Sequence, residues 1–164
     1  MKRMTFRLIM MGIIGAMLVF SSCDNDSLDL GIPSLERTTI WSGPTVTFQK
    51  ADGDDPNLPE NQDQLSNSVA LTRGNNGGQI YNAVSETNSD KDNSPLGTLW
   101  ARGTTADLQN LSFGAFRATV DKPKDAVGLD LVLLLVEENI AIDIKFTSWG
   151  QNRQGSFSYE RSSE

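Results

Sequence analysis

Three tryptophans, Trp41, Trp100 and Trp149, are the residues of this sequence that most suggest ligand binding. A flat indole stacks on the apolar face of a sugar ring much as aromatic rings stack on one another. Trp149 stands at the end of a predicted strand, next to a turn that a ligand could reach. We therefore take the three tryptophans as candidate carbohydrate-binding residues. The alternative is that each indole caps the core at one end of the fold.

Carboxylates are the side chains on which an enzyme built from this sequence would depend. The chain has no histidine and a single cysteine, which excludes Ser-His-Asp and Cys-His nucleophiles and zinc sites built from His or Cys. It has no Walker loop and no Gly-x-Gly-x-x-Gly turn, so we expect no nucleotide cofactor. A glycosidase needs two acids about 5 to 10 Å apart in a cleft. The candidates by residue type are Glu86, Glu137, Glu138 and Asp143. We predict a module without catalytic activity that has a binding or structural role. A carbohydrate-binding protein is the second hypothesis, and a carboxylate-based glycosidase is the third.

Two acidic loops carry closely spaced oxygen ligands of the kind that calcium takes. The first loop has four: Asp52, Asp54, Asp55 and Asn57. The second has three at alternating positions: Asp90, Asp92 and Ser94. Neither matches an EF-hand, because Pro56 falls at a ligand position in the first loop and no glycine follows in the second. Solvated turns of an acidic protein explain both loops, so we predict no metal site and keep the first loop as the calcium candidate.

The amino terminus has the three-part layout of a secretory signal peptide. Lys2, Arg3 and Arg7 precede an apolar run of 13 residues, 8–20, which ends at Ser21-Ser22. This run is too short for a transmembrane helix, which needs about 18 apolar residues or more. We assign residues 1–22 to a signal peptide that is removed.

Cys23 follows the apolar run directly, and this junction resembles the lipobox of bacterial lipoproteins. The resemblance implies cleavage before Cys23, acylation of its thiol and new amino group, and permanent attachment to a membrane through the acyl chains. The alternative is an ordinary secreted protein with a stray thiol at Cys23. We assign 23–36 to the lipidated cysteine and a polar tether and 37–164 to one domain. The expected location is the bacterial cell envelope, at the outer membrane.

The charge of the mature chain argues against nucleic acid as a partner. Removing Lys2, Arg3 and Arg7 from the 14 basic residues leaves 11 against 21 acidic residues, a net charge of −10. Affinity for nucleic acid depends on neutralising phosphates with Lys and Arg. A glycan or another envelope protein is the expected partner besides the membrane.

The domain that positions these candidate residues is predicted to be all-β. We expect an antiparallel β-sandwich that resembles a jelly roll and has about eight short strands. Residues 140–149 alternate apolar and polar side chains, so one face of this strand is expected in the core and the other in water. Residues 129–136 are apolar on both faces, as in a central buried strand, and 155–161 alternate again. Shorter strands are predicted at 38–41, 45–50, 69–73, 79–86 and 99–103. Residues 51–68 are predicted to be a long loop, and 108–120 is the one plausible helix.

Two stretches near the end of the chain, 143–149 and 155–161, read Asp-Ile-Lys-Phe-Thr-Ser-Trp and Gly-Ser-Phe-Ser-Tyr-Glu-Arg. Together they resemble the C-terminal sequence signature of an uncharacterised group of secreted bacterial β-domains. The matching positions earlier in the chain are Trp41, Gly43, Pro44, Phe48, Lys50, Ala51, Asp52, Asn61, Gln62, Asp63, Leu71, Thr72, Arg73 and Gly74. This resemblance implies an exported location and a β architecture. It gives no information about an activity.

Overall fold

The computed structural model describes residues 34–151 and 153–164. The predicted signal peptide, Cys23 and most of the predicted tether lie outside these residues. Nine strands occur in the described part: β1 (Thr39–Trp41), β2 (Val46–Lys50), β3 (Asp63–Gln64), β4 (Ala70–Arg73), β5 (Ile80–Asn82), β6 (Thr98–Arg102), β7 (Leu131–Leu135), β8 (Ile140–Trp149) and β9 (Phe157–Arg161). One α-helix, α1 (Phe116–Val120), and four 3-10 helices accompany them: Leu35–Arg37, Pro59–Asn61, Thr105–Asn110 and Pro123–Ala126.

The strands form two sheets that pack face to face, and the predicted all-β sandwich is confirmed. The large sheet has the order β2-β9-β8-β7-β6, and the small sheet has the order β3-β4-β5. These neighbours are antiparallel. β1 departs from the predicted pattern, because it runs parallel to the first three residues of β8. The same edge of β8 is therefore shared by β1 and, from Ile144 onward, by β9.

The second half of β8 has the predicted division into a core face and a solvent face, whereas Ala141, on the predicted solvent face of the first half, is buried. Ile142, Ile144 and Phe146 are buried, whereas Lys145 and Thr147 are exposed. The pairing with β9 then shifts by one residue, so that Phe146 faces Tyr159 and Trp149 faces Phe157. A bulge of this kind reverses the facing of the residues beyond it. It turns Trp149 toward the core, where an unbroken alternation would have turned it outward.

β7 is buried on both faces, as its apolar sequence predicts. Leu131, Leu133 and Leu135 join the core between the sheets, where they meet residues of the small sheet and of α1. Val132 and Leu134 belong to a second cluster on the other face, covered by Leu108 and by the half-buried Leu35. Residues 35–37 are therefore part of the folded domain, and the prediction of a tether reaching residue 36 is wrong at this end.

Three predictions about local structure need correction. Residues 108–120 do not form one helix, because Gly114 pairs with Trp100 through two 2.9 Å backbone hydrogen bonds and separates a 3-10 helix from α1. The strand predicted at 79–86 ends at Asn82, whose side-chain Oδ1 accepts the Val84 N–H at 3.1 Å. Val84 is consequently exposed and does not share the core face of Ile80. The predicted loop at 51–68 contains β3 and one 3-10 helix.

Buried polar side chains join the two sheets. Asp63 of the small sheet accepts hydrogen bonds from Arg161 Nε at 2.7 Å, Arg161 Nη2 at 2.8 Å and the Tyr159 hydroxyl at 2.8 Å. Burial, reinforced by the Asp63 carboxylate, raises the pKa of Tyr159 well above its usual value, so the phenol is neutral and donates. At the other end of the sandwich, Arg73 of β4 donates to the carbonyl oxygens of Gly150 and Ser156 in the turn between β8 and β9. These contacts fix the position of the small sheet on the large one.

Candidate functional site

A cleft of about 440 Å³ opens where β1 and β9 end against β8. It lies at the point where the edge of β8 passes from one partner strand to the other. Ser162 bridges this gap, because its N–H donates to the Asp143 carbonyl at 2.9 Å and its hydroxyl accepts the Asp143 N–H at 3.1 Å. The residues that line the cleft and carry the argument below are Trp41, Thr105, Asp130, Asp143, Lys145 and Glu160.

Trp41 is the aromatic residue in the lining of the cleft, and it also packs against the core between the sheets. Its indole is half-buried, and the Arg161 guanidinium carbon lies 5.7 Å from the ring centroid. Since Arg161 is held by Asp63, the ion pair between the sheets also supports this tryptophan. Trp41 borders a second cleft of about 410 Å³ as well, which is lined by Gln64 and Glu138 among others. The indole therefore stands between two neighbouring depressions on the surface.

Asp143 connects the cleft to the layer that covers the sheet. Its Oδ1 accepts the Thr105 N–H at 2.7 Å and its Oδ2 accepts the Thr105 hydroxyl at 2.6 Å. Thr105 begins the 3-10 helix Thr105–Asn110, which places Leu108 over the second apolar cluster. Both oxygens of Asp143 are thus engaged in positioning this helix, which is a structural role.

Charges of both signs alternate along the open side of the cleft. Lys145 of β8 lies directly opposite Glu160 of β9 and donates to Asp130 at 2.9 Å. The side chains of Lys145 and Asp130 are 48% and 63% exposed, so this ion pair is accessible to a ligand. The cleft therefore combines one aromatic residue in its lining with several polar groups of both donor and acceptor character.

The other two tryptophans do not line this cleft. Trp100 is 0% exposed, packs against Phe116 at a centroid distance of 4.8 Å, and donates from Nε1 to the Thr98 hydroxyl at 3.0 Å. Its prediction as a ligand-binding residue is wrong, because no part of the ring is accessible. Trp149 is half-buried, and the Arg73 guanidinium covers its ring at 4.3 Å. The bulge in β8 directs it into the aromatic core, which favours the alternative that it caps the sandwich.

The carboxylates named from the sequence are not brought to one place. Glu86 Oε2 accepts the backbone N–H groups of Asn82 and Leu96, which fastens a loop. Glu137 is exposed in the turn after β7, and Glu138, beside the second cleft, accepts a 2.6 Å hydrogen bond from Ser68. Asp143 shares its cleft with Glu160, which the sequence reasoning did not select. The alternation of 155–161 could have indicated Glu160, since it predicts that this residue faces solvent.

The two acidic loops use their carboxylates in local hydrogen bonds. Asp54 Oδ2 accepts the Ala51 N–H at 3.1 Å, and Asp55 Oδ1 accepts both amide groups of Asn57 at 2.9 Å. In the second loop, hydrogen bonds from the Asp92 backbone and the Asn93 side chain lower the pKa of Asp90. Among the described residues, no three acidic side chains converge in the way a metal ion requires. The calcium hypothesis thus gains no support from this geometry.

None of the helices within 34–151 and 153–164 has the length and apolar character needed to cross a membrane. Comparisons with protein-family models, with curated proteins and with solved structures found no match to this chain.

Proposed function

We propose that this chain is an exported, lipid-anchored β-sandwich module that binds a carbohydrate in the Trp41 cleft without catalysing a reaction. The observation that carries the binding proposal is a half-buried tryptophan, Trp41, in the lining of an open cleft that also presents carboxylate, hydroxyl and ammonium side chains. An aromatic ring supplies a surface for the apolar face of a pyranose, and neighbouring carboxylate, hydroxyl and ammonium groups can pair with sugar hydroxyls.

The arrangement of the acids favours binding over hydrolysis. A glycosidase needs one carboxyl group free to donate a proton and a second free to attack or to activate water. Both oxygens of Asp143 are engaged by Thr105, and Glu160 lies exposed on the open sheet face. The cleft therefore lacks a buried acid pair, which is the feature that would favour the glycosidase hypothesis.

A glycan array with the purified protein tests the binding proposal. We expect wild-type protein to retain at least one glycan class and Trp41→Ala to lose binding by about tenfold or more, since one stacked ring contributes on the order of 1–2 kcal/mol. Val84→Ala, which removes an exposed apolar side chain outside the cleft, is the matched control and should bind like wild type. Circular dichroism establishes that both variants are folded. If wild-type protein retains no glycan, or if Trp41→Ala retains full affinity, the proposed cleft is wrong.

The lipid anchor is tested at Cys23. We expect mass spectrometry of the mature N-terminal peptide to find cleavage before Cys23 and acyl chains on its thiol and amino group, with the protein in the membrane fraction. Cys23→Ser should move the protein to the soluble fraction. Recovery of an unmodified thiol on Cys23 from wild-type cells would contradict the anchor and leave the glycan proposal untouched.

A further inference from the structure

Lys50, the last residue of β2, carries a buried amine at the end of the sandwich away from β1. The residue is 0% exposed, and its Nζ donates to the Asn75 side-chain oxygen at 2.8 Å and to the Gly155 carbonyl at 3.4 Å. Among the described residues Lys50 forms no ion pair, although Asp52, Asp54 and Asp55 lie in the adjacent loop. A buried, unpaired ammonium is costly, and an uncharged amine is a nucleophile.

The amine of Lys50 contacts the side-chain carboxamide of Asn75, which forms hydrogen bonds through both its oxygen and its nitrogen. Asn75 lies in the turn between β4 and β5, and its Nδ2 donates to the Asp54 carbonyl at 2.8 Å while its Oδ1 accepts from Lys50. Gly155 passes close to the same oxygen, since a Cβ added to this glycine would overlap Asn75 Oδ1. These contacts leave the carboxamide of Asn75 little freedom to turn away from Lys50.

We propose that Lys50 and Asn75 form an intramolecular isopeptide bond. The lone pair of Nζ attacks Cγ of Asn75, a new C–N bond forms, and the bond from Cγ to Nδ2 breaks. The proton released by Nζ passes to Nδ2, which departs as ammonia on the open side of the half-buried Asn75. The exchange needs no oxidant, reductant or other reactant, because one amide nitrogen replaces another.

The distances place the reacting atoms within range. A carbonyl bond of about 1.23 Å beyond Oδ1 puts Cγ about 3 to 4 Å from Nζ, which reaches the range of a near-attack arrangement. Burial lowers the pKa of Lys50, and this effect exceeds the opposing influence of Asp54, so the reactive neutral form is more populated than in water. The Asp54 backbone carbonyl accepts from Asn75 Nδ2 and holds the leaving nitrogen in place, so the proton passes directly from Nζ to Nδ2.

The bond would join the large sheet to the small one. Lys50 belongs to an edge strand of the large sheet, and Asn75 to the β4–β5 turn of the small sheet, 25 positions further along the chain. A covalent link of this length limits the freedom of the unfolded chain as a disulfide would, in a protein whose only cysteine is Cys23. A chain exposed outside the cell would gain resistance to unfolding and proteolysis.

Tryptic digestion of the full chain followed by tandem mass spectrometry tests the proposal. Cleavage after Arg37, Lys50, Arg73 and Lys91 yields peptides 38–50, 51–73 and 74–91 from an unlinked chain. The isopeptide blocks cleavage at Lys50, so we expect peptide 38–73 joined to 74–91, lighter than the sum by one ammonia. Lys50→Arg should restore cleavage at position 50 and the three separate peptides.

A second control removes the competing source of ammonia loss. Asn76 precedes Gly77, and an Asn-Gly pair loses ammonia by forming a cyclic imide, which would lighten peptide 74–91 without joining it to another. Asn76→Gln should leave the linked product unchanged. Wild-type protein that yields peptides 38–50 and 74–91 only as separate species, with or without ammonia loss in 74–91, overturns the proposal.

Discussion

Replacing Asp63 by alanine is expected to lower the free energy of unfolding by about 3–5 kcal/mol, because removing one partner of a buried ion pair leaves the other charge uncompensated. Asp63 and Arg161 side chains are each 9% exposed, and the carboxylate takes two hydrogen bonds from the guanidinium and a third from Tyr159. Arg161 and Tyr159 belong to the large sheet, so the substitution also removes a link between the sheets. Urea unfolding followed by circular dichroism measures the loss.

Asp130→Ala is the matched control, since it also removes one carboxylate from an ion pair. The Asp130–Lys145 pair is exposed, so the control should cost about 1 kcal/mol or less. A double variant, Asp63→Ala with Arg161→Met, should be more stable than Asp63→Ala alone, because it removes the unpaired buried charge. Equal losses for Asp63→Ala and Asp130→Ala would contradict the buried position of the Asp63–Arg161 pair.

Replacing Trp100 by alanine should cost a similar amount, about 3–5 kcal/mol, the range measured for large aromatic residues in protein cores. The indole is fully buried between Phe116 and Phe146, with ring centroids at 4.8 and 6.2 Å, and its N–H is satisfied by Thr98. The cavity left by alanine lies in the core between the sheets, which is too densely packed to collapse onto it.

Trp100→Phe separates packing from ligand binding. It keeps an aromatic ring in the core and loses one hydrogen bond, so its unfolding midpoint in urea should lie between those of wild type and Trp100→Ala. A variant Trp100→Ala that unfolds like wild type would show that the ring is not packed as described. Glycan binding by folded Trp100→Phe should equal that of wild type, because the ring is remote from solvent.

The part of the fold that could be predicted from the sequence is the part with apolar periodicity. β7, β8 and β9 lie within the predicted ranges. Apolar residues recur regularly along these strands, on both faces of β7 and on one face of β8 and β9, and the sequence shows this directly. β3 was missed because its buried residue, Asp63, is charged and owes its burial to Arg161, 98 positions away. No local pattern of apolar residues reports such a partner.

The residues of the candidate site also fall into those that the sequence indicated and those that it did not. Trp41 could be selected from the sequence because the residue type alone indicates a ring on which a sugar can stack. Thr105 and Glu160 could not be placed beside it, since the cleft exists only where segments distant in the sequence meet: the ends of β1 and β9, the middle of β8, the start of β7 and the first turn of a 3-10 helix. The direction of Trp149 could not be predicted, because the bulge at Thr147 reverses it and such a one-residue insertion leaves no mark in the alternation.

The position of β9 between β2 and β8 has a consequence for the order of events during biosynthesis. β2 comes early in the chain, yet its sole described neighbour in the sheet is β9, the last of the strands described here. Such non-local pairing is slow to form, because a long stretch of polypeptide must be ordered before the contact is gained. A nascent chain cannot complete the large sheet until β9 has been made, and this delay would suit the export that we propose, since an exported chain crosses the membrane before it folds.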